Sequence, residues 1–365
     1  MRFAIEREMR VSLSGNGLLI MSKIIDSTTD CKLLDSSVTK DESALVLLRS
    51  KLFAIANRFD LSDLKRENML LVAAELASNN VKHAGGHGMI QIWQQPGSVL
   101  DILSLDYGPG IADMRQAEQD GYSSTNTFGK GLGAIRRLSD ESYIYTQCKS
   151  SNQVTRWSGT VFLARFNLAP EKDRVLGKEV GLFSHSLSDG RHNGDRIYLQ
   201  KKGGRLRWLH LDGLGHGQEA QIATANLATH VAHSDNLESM LKGVDRQLVS
   251  TRGAVAVACE IDTRSRNLQL LGVGDMHAHI YDQNEMQHMA FAPGILGREH
   301  RTATMFRSSL ARRSVVVTAS DGIRRNFDLG NFPGLFGQHP QLIAYALGNI
   351  MGRVSDDQSI CVSSV

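Results

Sequence analysis

The segment Leu168-Ala-Pro-Glu-Lys-Asp173 separates two halves written in different patterns, and this division limits the fold more than any other feature of the chain. It is polar, contains a proline and interrupts the apolar periodicity on both sides, as a linker between separately packed units does. Before it, Leu45, Leu47, Leu48, Leu52, Ile55 and Ala56 recur at roughly helical spacing. A second helix is expected to start after Ser62, with Asp63 near its positive end, and to stop at Gly85-Gly86. Strand alternation follows at 89–93 and 99–105, then a glycine-rich stretch at 108–133 leads into a short helix at 134–138. Strands at 143–148 and 160–166 close this half. The second half carries short strand patterns at 196–200, 206–211, 254–261, 268–273, 277–281 and 314–319, broken by helical patterns at 219–232, 237–248 and 342–350. Such an order predicts antiparallel sheets flanked by helices, not alternating βαβ units. The fold class expected is therefore mixed α/β of the α+β kind, in two domains. The spans are 40–168 and 175–365, with a linker at 169–174 and an unassigned extension at 1–39.

A length of 365 residues suits two domains. The formal net charge is only +3 and the basic pairs Arg136-Arg137, Lys201-Lys202 and Arg312-Arg313 are scattered, so no nucleic-acid footprint is expected. Cys31, Cys148, Cys259 and Cys361 form no CxxC pair, which argues against a disulfide framework or a zinc site and for reduced thiols. No apolar run approaches the ~18 residues of a membrane helix. The charged order Arg2, Glu6, Arg7, Glu8, Arg10 ahead of a short apolar stretch is wrong for a signal peptide. Met21 offers an alternative start. A cytoplasmic protein without membrane or nucleic-acid contact is the expectation.

Three elements of the first half point to a nucleotide. Glu75 and Asn79 lie four residues apart, one helical turn on the same face, and an acid beside a neutral oxygen ligand suits a largely hydrated magnesium ion. Asp106-Tyr-Gly-Pro-Gly110 ends a strand; its carboxylate can accept a hydrogen bond from an exocyclic amine while Gly108 and Gly110 let backbone approach a flat ring. Gly129-Lys-Gly-Leu-Gly133 opens a helix and can cradle an anion with backbone N–H groups. Each piece alone reads as a turn or as surface decoration; their order is what counts.

The second half places carboxylates next to glycines at strand ends: Gly194-Asp195, Asp212-Gly-Leu-Gly-His-Gly217, Ser320-Asp321-Gly322 and Asp356-Asp357. A single Asp-Gly pair is a common turn signal. Four in this order can converge on one edge of a β-sandwich, and an oxygen-only ligand set suits Mg²⁺ or Mn²⁺ over zinc. Two such ions ~3.5–4 Å apart can direct water in line at a phosphoryl group.

Together with Gly159-Thr160, the first set resembles the N, G1 and G2 boxes of the gyrase, Hsp90, histidine-kinase and MutL ATPase superfamily. The runs 106–113, 120–123 and 131–141 narrow the resemblance, over about residues 40–166, to the serine/threonine switch kinases of the bacterial stressosome, relatives of anti-sigma factor kinases. That resemblance implies a Bergerat-type ATP-binding α/β sandwich. In it Glu75 is the general base, Asn79 holds Mg²⁺, Asp106 reads adenine beside Gly108, Gly110 and Thr160, and Gly129, Gly131 and Gly133 cover the phosphates of ATP. Lys130, with Phe128, departs from the family's loop; Lys130 neutralises phosphate charge, or the loop closes poorly and leaves nucleotide binding without efficient transfer, or Lys130 is a plain loop lysine. The second set resembles the PPM metal-dependent protein phosphatases of the stage II sporulation protein E-type branch, on Asp212-Gly-Leu-Gly-His-Gly217, Gly272-Val-Gly274 and Asp356-Asp357-Gln-Ser359. It implies an α-β-β-α sandwich in which Asp195, Asp212, Asp321, Asp356 or Asp357, and the Gly213 carbonyl hold two Mn²⁺ or Mg²⁺ ions. His216 either assists as an acid or, as its glycine setting suggests, serves mainly tight packing, and His210, His277 and His279 read as ordinary sheet residues rather than ligands. The joint expectation is a bifunctional regulator that phosphorylates and dephosphorylates a Ser or Thr of a STAS-domain anti-anti-sigma or stressosome partner, with a sigma factor or downstream regulator beyond it. A homodimer is compatible with this reading. The rival is a phosphatase fused to a nucleotide-binding, partner-sequestering module without kinase turnover; a gyrase–MutL type nucleic-acid ATPase lacks a transducer extension and a basic groove.

Overall fold

The computed structural model describes residues 23–41, 43–117, 131–149, 157–169, 177–187 and 192–365. In chain order the first half forms β1 (Ile24–Asp26), α1 (Ser27–Asp30), β2 (Lys32–Val38), α2 (Ser43–Arg58), α3 (Asp63–Ala84), β3 (Gly88–Gln95), β4 (Val99–Asp106), α4 (Met114–Ala117), α5 (Gly131–Leu138), β5 (Glu141–Gln147) and β6 (Gly159–Asn167). The second half forms β7 (Val180–His185), β8 (Asp195–Lys202), β9 (Arg205–Gly213), α6 (Gln218–Thr224), α7 (Ala228–His233), α8 (Leu237–Leu248), β10 (Ala254–Asp262), β11 (Asn267–Val273), β12 (His277–Asp282), β13 (Glu285–Met289), β14 (Phe306–Ser309), β15 (Val315–Ala319), α9 (Pro340–Met351) and β16 (Gln358–Ser364). No described helix is long and apolar enough to cross a membrane.

Helix α3 shows why these boundaries fall where they do. Ser62 caps its start by accepting from the Lys65 amide at 3.4 Å, and Gly85 ends it in the left-handed conformation with φ 61°, which a Cβ disfavours. The single helix expected at 219–232 is two, α6 and α7, because Asn226 between them takes φ 60° and leaves the helical region. Helix α5 starts at Gly131, three residues ahead of the expected start.

The first half builds a five-stranded antiparallel sheet in the order β2-β3-β4-β6-β5. Both faces of β4 are buried. Leu100 and Ile102 pack under α2 and α3 with Leu52, Val72 and Leu76, while Leu103 and Leu105, on the other face, join Trp93, Val161 and Leu163 against α9 of the second half. The second half stacks two sheets, β1-β8-β9-β10-β11-β14 and β13-β12-β15-β16-β7. Their facing surfaces share Ile197, Leu199, Trp208, Val257, Val316 and Cys361. Helices α7 and α8 cover the outer face of the first of these sheets through Val231, Met240 and Val244, and α9 covers the second through Leu342, Ile343 and Leu347. This is the α-β-β-α sandwich, with α9 doubling as the layer on which the other sheet rests.

The extension left unassigned in the sequence ties both parts. Ile24–Asp26 pairs with β8 in the second half's sheet, and Lys32–Val38 pairs with β3 in the first half's sheet. Most of the expected linker, residues 170–174, lies outside the described residues.

Candidate functional site

The nucleotide residues gather at the C-terminal end of α3. Glu75 and Asn79 are half-buried on α3, and His83, a further turn along the same face, interacts electrostatically with Asp106. Asp106 Oδ1 accepts from the Gly108 amide at 2.8 Å and the Thr160 amide at 3.2 Å. Both bonds use one oxygen, which leaves Oδ2 for another donor. Burial raises the Asp106 pKa above the usual carboxylate range, and the two amides only partly offset it.

Steric contacts explain two of the glycines. A Cβ on Gly110 (φ 77°) would lie 2.5 Å from the Gln147 carbonyl oxygen. One on Gly159 (φ 148°) would lie 2.2 Å from the Asp106 carbonyl oxygen. Gly131 and Gly133 are inside α5, at its first and third positions, so their amides belong to the open first turn and not to a preceding loop. Gly129 and Lys130 lie outside the described residues. Sequence reasoning passed over Asn80, which is buried and bonds Thr39 at 3.2 Å and Ser104 at 3.0 Å. It locks α3 to the sheet one residue after Asn79; its signal was a second amide in a row on a helix that buries most of its neighbours.

The carboxylates of the second half meet across the strand ends. Asp195 and Asp212 are direct cross-strand partners at the end of β8 and β9, and the Gly213 amide donates to the Gly194 carbonyl at 3.1 Å. Asp321 follows β15 and Asp356 precedes β16, strands that pair through Ala319 and Ile360. Burial first, and then its carboxylate neighbours Asp357 and Asp321, push Asp195 up to about 8. Asp212 rises well above the usual range from burial and then from Asp195, Asp321, Asp356 and Asp275. Asp321 is raised by burial, then by Asp356 and Asp275.

Asp356 and Asp357 have different jobs. Asp357 is 3% exposed, and its oxygens accept from the Leu187 amide at 2.8 Å and the Gly194 amide at 2.7 Å. It shapes the loop that delivers Asp195. Asp356 is the one whose charge bears on Asp212 and Asp321.

Behind the carboxylates runs a buried chain that the sequence reading treated as plain sheet. Ser359 donates to Asp195 Oδ2 at 2.7 Å, so it accepts from His210 Nε2 at 2.7 Å. His210 Nδ1 then accepts from Thr318 at 2.9 Å, and the Trp208 indole donates to Thr318 at 3.1 Å. Burial lowers the His210 pKa to about 3, which keeps the imidazole neutral in this one arrangement of protons. His216 is exposed in the turn before α6, so the tight packing expected of it from its glycine neighbours is not its role.

A divalent cation suits this donor set: hard oxygens, crowded by like charge. Among the described residues no three His, Cys, Asp or Glu side chains are gathered closely enough to hold a metal as they stand. The set is open.

Residues 38–156 match the family described as the histidine kinase-like ATPase domain. Over 89 residues, 24% of this chain and 67% of the relative, the chain is 32% identical to the serine/threonine-protein kinase RsbT of Bacillus subtilis (strain 168). Among solved structures it is similar to a chain of the bacterial stressosome, at 26% identity, covering 51% of this chain and 98% of that one with a TM-score of 0.46. It is also similar to RsbX in complex with magnesium, at 17% identity, 52% and 96% coverage and a TM-score of 0.45. A third is the PP2C phosphatase domain with a fragment of the regulatory domain of SpoIIE from Bacillus subtilis, at 15% identity, 88% and 95% coverage and a TM-score of 0.44.

Proposed function

From the premise that this chain belongs to the histidine kinase-like ATPase family, through residues 38–156, we propose that it is a regulatory enzyme of partner switching. Its first half transfers phosphate from ATP to a Ser or Thr of a STAS-domain partner, and its second half hydrolyses that phosphate.

In the transfer step Glu75 accepts the proton of the substrate hydroxyl as its oxygen bonds the γ-phosphorus and the bond to the leaving ADP oxygen breaks. Asn79 supplies an oxygen to Mg²⁺, Asp106 Oδ2 receives the adenine amine, and the first-turn amides of α5 face the phosphates. Positioning and electrostatics dominate such a step. In the hydrolysis step Asp195, Asp212, Asp321, Asp356 and the Gly213 carbonyl hold the divalent ions. Those ions, Mn²⁺ or Mg²⁺, supply charge stabilisation and water activation when bound. Ser359 keeps Asp195 aimed, and Asp357 holds the loop behind it.

The observation that supports the hydrolytic half is that Asp195, Asp212, Asp321 and Asp356 stand at neighbouring strand ends, near enough for their charges to raise one another's pKa. The transfer half rests on the family and on the Asp106–Gly108–Thr160 arrangement. One observation favours a second reading, in which the first half binds nucleotide and sequesters a partner without transfer: Gly131 and Gly133 are spent inside α5, which shortens the loop left to close over phosphates.

Intact-mass analysis of a STAS-domain protein, incubated with the Asp321→Ala variant, Mg²⁺ and ATP, decides between them. A gain of one phosphate, removed by wild-type protein with Mn²⁺ and no ATP, is expected. No gain would leave the first half a binding module.

A further inference from the structure

The loop after β15 and the turn before β16 are tied by backbone. The Arg324 amide donates to the Met351 carbonyl at 2.9 Å and the Arg353 amide to the Gly322 carbonyl at 2.8 Å, with Ile323 bridged to Gly352 between them. These ties set Arg324, Arg325 and Arg353 on one rim beside Asp321 and Asp356, and all three are exposed. None of the three guanidiniums lies within ion-pair distance of a carboxylate among the described residues. Arg353 bears electrostatically on Asp321, so this rim sets positive charge at the mouth of an acidic centre.

Arg325 is the one held in place. Its Nε donates to His277 Nε2 at 3.3 Å and its Nη2 to the Asp275 carbonyl at 2.9 Å, which leaves Nη1 outside both bonds. Beyond it opens a pocket of about 640 Å³, lined by His277, His279, His288, Met289, Phe291 and Arg325 among others. His279 is only 4% exposed, yet its Nε2 has no hydrogen-bond partner among the described residues, and a buried polar atom in that state calls for one. Burial keeps His277 and His279 neutral, at about 4 and about 3, so the positive charge of the subsite comes from the arginines. Asp275 and Asp328 also border the pocket; both oxygens of Asp328 already accept from Asn331, and Asp275 is exposed with its carbonyl held by Arg325.

We propose that this arginine rim and its pocket are the docking subsite for acidic side chains that flank the phosphorylated Ser or Thr of the substrate protein, so that the second half selects phosphosites set in acidic sequence. This rests on the phosphatase reading above. A guanidinium fork matches a carboxylate in two parallel hydrogen bonds, and rim charge of one sign both steers encounter and rejects partners of the wrong sign.

The test uses the full chain with Mn²⁺ and three probes: p-nitrophenyl phosphate, a phosphoserine peptide with glutamates on either side of the phosphoserine, and the same peptide with alanines there. The quantity read is the ratio of kcat/KM for the glutamate peptide over the alanine peptide. In the wild type it should exceed about 10, the effect of one charge-assisted contact, and it should decline as salt rises from about 50 to about 500 mM. Arg325→Ala should cut it about tenfold. Arg353→Glu, whose side chain makes no bond to the 275 loop, should cut it at least as far. A wild-type ratio near one, or a ratio unchanged in both variants, would overturn the subsite. Failure of the wild type to hydrolyse any of the three probes would instead sink the phosphatase reading on which it stands.

Discussion

At the scale of single residues, adjacent aspartates carry opposite consequences. Asp356→Asn should lower hydrolysis by a hundredfold or more while the fold melts within a few degrees of wild type, because its charge bears on the carboxylate centre and its one backbone bond, from the Asp357 amide at 2.9 Å, can still be accepted by the asparagine oxygen. Asp357→Ala should cost ~2–4 kcal/mol, since two backbone amides lose a charged acceptor in a buried place; thermal melting of the two variants, set beside their activities, separates the roles. The carboxylate centre also fixes a pH dependence. Asp195 in the folded protein holds its proton up to about 8, whereas an unfolded aspartate loses it near ~4. The folded state therefore binds more protons between those limits, and the metal-free protein loses stability as pH rises through that window. The slope is at most ~1.4 kcal/mol per pH unit for one such group. The metal-free protein should melt higher at pH 6 than at pH 8, and saturating Mg²⁺ should remove the difference, because a cation substitutes for the proton. A flat metal-free profile would mean that neither burial nor its carboxylate neighbours raise Asp195 in the folded protein.

At the scale of elements, α9 matters most, since it serves two sheets at once. Tyr345 on α9 donates to Asp101 Oδ2 of β4 at 3.0 Å, and Arg165 of β6 closes on the same carboxylate with two bonds of 2.8 Å. Gln91 of β3 reaches Asn349 of α9 at 2.8 Å. Burial works against the Arg165 charge, but Asp101 more than compensates and raises its pKa. The pair is therefore stable only as a pair. Asp101→Ala should cost ~3–5 kcal/mol by leaving a buried guanidinium alone, whereas the double replacement Asp101→Leu with Arg165→Met should cost far less. Tyr345→Phe should cost ~1 kcal/mol. Denaturant titration of the three variants checks the order. Of these elements, α3, β3, β4, α8 and α9 were legible from periodicity, within a few residues at each end, since apolar spacing reports how many faces an element buries. The short edge strands β1, β13 and β14 were not, because three to five residues hold too few repeats to show a period.

At the scale of the whole molecule, the chain is a stack in which the outer layers are helices and α9 lies between two sheets. The ATPase-like sheet presents Trp93, Leu103, Leu105, Val161 and Leu163 to that helix, a surface that would be exposed if the halves were cut apart. The strand β1 adds a second bond between the halves. Ile25 is 1% exposed, Asp26 pairs with Arg196 at 3.1 Å, and Ser27 accepts from the Ile197 amide at 2.9 Å. A fragment of residues 177–365 should therefore melt several degrees below the intact chain and recover part of the loss when a peptide of residues 23–31 is supplied, which calorimetry would show; no response to the peptide would mean that this edge contributes nothing. The sequence by itself determined the α+β class, the helices and longer strands, and the glycine and aspartate motifs, because these depend on residues near one another in the chain. Only the tertiary structure decided that residues 24–38 join both sheets, that Asp357 serves the backbone while Asp356 faces the carboxylates, that His210 and Ser359 stand behind Asp195, and that three arginines ring the site. Each of those depends on which strand ends come together, and pairing between distant strands leaves no mark in local periodicity.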